Sequence, residues 1–245
     1  MMAQQMKLVA HASHLLTGFI QLRERYALLH PMLFDLDVPQ QYGCGKQARG
    51  FDILKNSLFL SCCQDIAKLS TDKYDQTPSI KKLMASLLDD AIRAECRNQY
   101  CLDHCQFADD DNDPELVEVL QQMALEDVRK QGETFDKQYC EAVALWKVLS
   151  TSAILNSFRT VRDQVSAHTD VQFVDDEYRL VDIGELGIKW GDLKTTIARM
   201  QELVELIGQL VRCTGFAWTS LDQMLAKAGN DFWLVAPHRG SVKDD

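Results

Sequence analysis

The stretch GDLKTTIARMQELVELIGQLVRCTGF, residues 191–216, decides the fold class. Its apolar residues Leu193, Ile197, Met200, Leu203, Val204, Ile207, Leu210 and Val211 recur at steps of three and four. That is the period of one helix face, not the alternation of a strand. Asp192 sits in the first turn, where the helix dipole favours a carboxylate. Outward from this stretch the same texture continues. Glycine is absent from 51–131 and from 133–183, while Leu, Ala, Gln, Glu, Lys and Arg are plentiful, which predicts an all-α protein. Helices are expected near 3–29, 48–70, 78–105, 114–131, 133–168, 191–216 and 219–229, forming a bundle in which the long helices 133–168 and 191–216 pack antiparallel.

The punctuation fits this pattern. Pro78 heads PSIKKLMASLLDDAI, where its missing N–H costs nothing, and Asp113 before Pro114 is a cap-then-proline start. Ser150, Thr151 and Ser152 are expected to bend the helix they interrupt, because their hydroxyls bond back to the preceding turn. The segment 30–47, with two prolines and two glycines, is read as a loop, and 230–245 as a tail. Between 170 and 190 the helical period lapses, and Val171, Phe173, Val174 and Tyr178 alternate loosely, so a short strand pair or irregular segment is expected there. No internal repeat or linker divides the chain, and 1–245 is read as one domain.

Composition narrows the function. A net charge of −10 argues against a protein that coats nucleic acid non-specifically, since such binding needs clustered Lys and Arg to displace counterions; chemistry on RNA in one local groove is not excluded. There is no glycine-rich phosphate loop. No run approaches the length of a membrane span, and the N-terminal MMAQQMKLVAHASHLL lacks the core and cleavage site of a secretion signal, so a cytoplasmic protein without a membrane role is expected. The eight cysteines, two of them adjacent at Cys62 and Cys63, fit reduced thiols.

In RDQVSAH, Arg162 to His168, the residue types suit catalysis on a phosphodiester. Histidine titrates near neutrality and can act as general acid or base. Arginine keeps its charge and holds phosphate through a planar fork. Asp163 can orient the guanidinium or fix one imidazole tautomer. The residues Ile154, Phe158, Val161, Val165 and His168 form an apolar stripe, and a histidine that ends such a stripe is, on pattern alone, more often a hydrogen-bonded core residue. On a regular helix Arg162 and His168 would lie about 120° apart and about 9 Å apart along the axis. One helix alone therefore makes a poor site, whereas two copies related by a two-fold axis can present both pairs to one groove.

These residues carry a resemblance. An arginine, a polar residue and a histidine after four to six intervening positions is the signature of the HEPN superfamily, and Arg162, Asp163 and His168 match it with five. The surrounding FRTVRDQVSAHTD, the upstream FDILKNSLFLSCCQDIAKLSTDKYDQTPSIKKLMASL and the helix after WGDL resemble its AbiU-type branch in the same order, over roughly 45–215. The resemblance implies a HEPN-type helical bundle that forms a homodimer and cleaves RNA at an Arg–His site without metal or other cofactor. It also implies a role as a toxin or abortive-infection effector in phage defence, restrained by an antitoxin protein. The alternative is a catalytically inert helical interaction module or subunit of such a complex.

One other cluster invites a metal test. In CRNQYCLDHC, Cys101, His104 and Cys105 bring soft ligands together, but the spacing is not a zinc ribbon's and no second half follows, so buried thiols are the first expectation. His11 and His14 with Lys7 lack carboxylate or cysteine partners at ligand spacing and are read as ordinary.

Overall fold

The computed structural model describes residues 2–72, 74, 76–104, 114–166, 171–174, 177–180 and 186–233. In chain order these form α1 (Met2–Phe34), α2 (Asp37–Gln40), α3 (Lys46–Thr71), α4 (Ile80–Leu87), α5 (Asp90–His104), α6 (Pro114–Ser150) and α7 (Ala153–Thr160). A π-helical turn (Val161–Ser166), β1 (Val171–Val174), β2 (Glu177–Leu180), α8 (Trp190–Arg212) and α9 (Trp218–Trp233) follow. Among the described residues the fold is all-α apart from one hairpin. In it β1 pairs antiparallel with β2, Val171 opposite Leu180 and Val174 opposite Glu177, where the helical period lapses in the sequence. Among the described residues no helix is long and apolar enough to cross a membrane.

The chain groups into two compact units, Met1–Ile20 with Cys63–Phe216 and Gln21–Cys62 with Ala217–Asp245. In the first, α8 buries the stripe read from its sequence, with Leu193, Met200, Leu203 and Leu210 fully enclosed. The Asp192 carboxylate accepts a hydrogen bond from the Lys189 N–H at 2.8 Å, filling a donor that the helix start leaves open. Helices α5 and α6 run antiparallel. Along them Arg93 donates to the Tyr139 hydroxyl, Arg97 grips Asp136, and the Cys101 thiol donates to the Val128 carbonyl. Helix α6 also packs on α8, where Gln138 Nε2 donates to Gln209 Oε1 at 2.7 Å. In the second unit α9 buries Leu221, Leu225, Gly229 and Trp233 along one face, and the Trp233 indole N–H donates to the Leu28 carbonyl of α1 at 2.8 Å.

Four expectations about element ends need correction. Helix α1 continues through Pro31 to Phe34, and α2 follows, so most of the first half of the expected 30–47 loop is helical. A proline in the last turns removes one N–H and leaves the following carbonyls free to bond onward, as Pro31 O does to Asp35 N at 3.0 Å. The expected 78–105 helix is two, because Asp89 Oδ1 accepts from the Ala91 and Ile92 N–H groups and starts α5 afresh. Gly132 does not end a helix. It lies inside α6, with the Arg97 guanidinium across the place that a side chain would take. Finally, 133–168 is divided. Thr151 Oγ1 donates back to the Lys147 carbonyl at 2.8 Å, and Ser152 Oγ caps α7 by accepting from the Leu155 N–H at 3.3 Å. The expected bend is therefore a full break.

Candidate active site

Ser152 restarts the chain as α7, whose buried line is Leu155, Phe158 and Val161. Phe158 and Val161 were read as apolar-face residues from their spacing, while Leu155 takes the inward place expected of Ile154. The Ser157 hydroxyl donates to the Leu186 carbonyl at 3.2 Å, tying α7 to the chain that leads into α8. After Thr160 the winding widens. Residues Val161–Ser166 form a π-helical turn, an arrangement that is rare and concentrates at functional sites.

Arg162 and Asp163 lie in this turn. The Arg162 Nε–H donates to Asp163 Oδ1 at 2.6 Å, and the two side chains are 28% and 52% exposed. This contact bears on the first of the two roles read for Asp163, orienting the guanidinium; the second turns on His168. With Nε engaged, the guanidinium's terminal nitrogens remain for a further acceptor, the edge that grips phosphate in two-point contacts. His168 lies outside the described residues. One turn earlier is Arg159, to which the sequence analysis assigns no role. Its Nη1 reaches Asn156 Oδ1 at 3.4 Å, while its Nε is buried with no hydrogen-bond partner among the described residues. Two arginines three apart in FRTVRD were the available signal.

Of the candidate metal cluster, the Cys101 side chain is described. Cys101 is buried and its thiol donates toward the Val128 carbonyl at 3.6 Å. The His104 side chain and Cys105 lie outside the described residues. Among the described residues no group of three or more His, Cys, Asp or Glu is placed to hold a metal ion. Cys96, on the same helix, is pushed up to about 11, first by burial and then by the Glu95 carboxylate.

No curated protein and no solved structure matches the chain significantly. The family model described as AbiU2, of HEPN type, matches residues 6–232 of the 245, and the chain belongs to this family of HEPN domains.

Proposed function

We propose that the chain is a metal-independent endoribonuclease that acts in abortive infection, as a toxin or phage-defence effector, through Arg162 and His168. Membership of an AbiU2 family of HEPN type supports the setting. The observation that carries the chemistry is Arg162 itself, on a π-helical turn, its guanidinium steadied through Nε by Asp163. A charged fork held in this way costs little further ordering when it takes a phosphate.

In the proposed reaction the ribose 2′-hydroxyl attacks the adjacent phosphorus. A base removes its proton, and an acid protonates the departing 5′-oxygen. The products are a 2′,3′-cyclic phosphate and a 5′-hydroxyl. His168 serves as the acid or base, and Arg162 stabilises the extra negative charge on the phosphoryl oxygens. Two copies of the chain supply the two protein groups that such a proton relay requires, which makes the working form a homodimer. RNA is the substrate, and an antitoxin protein is the partner that holds the activity in check.

The test is cleavage of total RNA in EDTA by the wild type, Arg162→Ala and His168→Ala, with the product ends identified. Cyclic phosphate ends made by the wild type and lost in both folded variants are expected, each loss being on the order of 10²-fold or more in rate. Equal activity in wild type and His168→Ala returns that residue to a core role. Absence of cleavage under every condition favours the inert interaction module.

A further inference from the structure

Arg23, Arg93, Arg97, Arg129 and Arg162 each hold a carboxylate, with Asp222, Asp90, Asp136, Glu133 and Asp163 as their partners. In a chain with 36 acidic residues against 26 basic ones that is the ordinary outcome. Arg159 departs from it. An exposed guanidinium needs no counter-charge because water solvates it, but Arg159 is half-buried, and among the described residues it pairs with no carboxylate. Its hydrogen bond to the neutral Asn156 is long, 3.4 Å from Nη1 to Oδ1, and its Nε is enclosed without an acceptor. A charged group in such surroundings costs stability. An anion brought to its terminal nitrogens offsets part of that cost.

A helix end does not explain the arrangement. Arg159 stands in the last turn of α7, but the winding runs on through Ser166, and the Val161 N–H already bonds to the Ser157 and Phe158 carbonyls. The carbonyls that an arginine serves at a helix end are therefore taken. Arg212 makes the contrast. Its Nε is likewise buried without a partner, but it sits where α8 does stop, at Cys213, and the negative end of that helix favours its charge.

Position supplies the second half of the case. Arg159 follows Leu155 by four residues and precedes Arg162 by three, so the three share one flank of the helix, with Leu155 on its buried line. Where the winding is regular, residues three apart hold their Cβ atoms about 5–6 Å from each other. Two side chains so placed suit successive groups along one strand better than the oxygens of one phosphate. The two guanidinium groups also differ in their restraint. Arg162 is steadied by a carboxylate at Nε, whereas Arg159 has only Asn156 at one terminal nitrogen.

We propose that Arg159 is a second phosphate-binding residue of the candidate site, holding the phosphate next to the scissile one while Arg162 holds the scissile group. The preferred substrate is then a strand that carries a charge beside the cut. RNA as the ligand is taken from the ribonuclease reading, on which this assignment rests; the demand for an anion is read from Arg159 itself.

The experiment has two arms, each run on the full chain as wild type, Arg159→Gln and Arg159→Lys, with circular dichroism and sedimentation to compare fold and assembly. In the first, a fluorescent random-sequence ten-nucleotide strand, 2′-O-methylated so that the attacking hydroxyl is blocked, is titrated at several salt concentrations. Arg159→Gln is expected to bind about tenfold more weakly, and its salt slope to fall by about 0.7 for each arginine the strand meets. Arg159→Lys keeps the charge and is expected to keep the slope. In the second arm, a dinucleotide spanning the mapped cut is compared with the same dinucleotide bearing an added 5′- or 3′-terminal phosphate. Wild type is expected to favour one phosphorylated form by about tenfold, through KM, and Arg159→Gln to lose that preference.

The proposal is overturned by a wild type that fails to bind the blocked strand at about 1 mM, by a preference that survives in Arg159→Gln, or by an equal loss on both dinucleotides. It is also overturned if Arg159→Lys behaves as Arg159→Gln does, whether by losing the slope or by losing the fold, since charge is then not what the position supplies. A wild type that cuts no RNA but binds the blocked strand with an Arg159-dependent slope upholds the phosphate site and ends the ribonuclease reading. Cleavage lost in His168→Ala with no effect of Arg159→Gln in either arm does the reverse.

Discussion

Replacing Gly229 by alanine is expected to destabilise the second unit, although alanine is the better helix former. Gly229 lies on the buried face of α9, and a Cβ built there stands 2.6 Å from the Ala27 carbonyl oxygen and 3.4 Å from its carbon. That oxygen is open to approach because the residue four positions on, Pro31, has no N–H to occupy it. Helix backbone cannot swing aside as a side chain does. Helix α9 must retreat by roughly 0.4 Å merely to reach the 3.0 Å that real contacts begin to show. The retreat pulls on the Trp233 N–H bond to Leu28 and on the rings of Tyr42 and Phe51 against which Trp233 sits edge-on. Overpacking costs about 1–3 kcal/mol, and against unyielding backbone the upper part of that range, about 2–3, applies; the helix propensity of alanine returns about 1, leaving a loss of about 1–2 kcal/mol. Gly132→Ala is the matched control. Its Cβ also collides, at 2.7 Å from Arg97 Cζ, but with the tip of a flexible side chain. Arg97 turns away from Asp136 and gives up an exposed ion pair worth about 0–1 kcal/mol, which the propensity gain offsets. Urea unfolding followed by circular dichroism measures both. A Gly229→Ala chain as stable as wild type, or a Gly132→Ala chain less stable than Gly229→Ala, refutes the reasoning.

Asp163→Asn keeps the shape of the side chain but weakens its hold on Arg162, so RNA cleavage is expected to fall about tenfold, less than in Arg162→Ala; an unchanged rate removes Asp163 from the site. Sedimentation at micromolar concentration is expected to show a dimer, and a single 27.9 kDa species counts against a shared cleft. Thiol titration is expected to label exposed Cys44 and Cys140 rapidly and to spare Cys96. Burial raises Cys96 from 9.0 to about 11, so the folded state holds its proton where the unfolded state has lost it. Its contribution is complete below pH 9.0 and is lost as pH rises towards 11, and a Cys96→Ala chain is expected to show a flatter stability profile across that interval.

The helical class was legible because apolar spacing survives packing, as α8 demonstrates residue by residue. Helix ends were less so, each for a local reason. Pro31 is read as a breaker when it falls within a helix's closing turns, and Gly132 is read the same way unless Arg97, from another helix, is known to lie across it. Asp89 was a missed cap whose signal was present, an aspartate two and three residues before the N–H groups it accepts from. Ser152 was visible as a disturbance, but its side chain's choice of capping over simple back-bonding depends on the new direction of α7. At the candidate site, Arg162 and Asp163 were found by residue type and motif. The winding that carries them was not, because no single residue encodes a bond five positions back in place of four.

That winding changes what the motif's spacing means. A π-helical turn is an α-helix that has taken in one residue without lengthening by a full step of its own, so it works as a phase shifter. Restoring ordinary winding across 161–166 without removing a residue would rotate everything beyond it by about 100° relative to α7. Conversely, a chain that gains or loses a residue there can keep the same flanking geometry by gaining or losing the bulge. A count of residues between arginine and histidine is therefore not a distance between them. The tolerance for four, five or six intervening positions becomes understandable as a tolerance for different windings across one fixed gap.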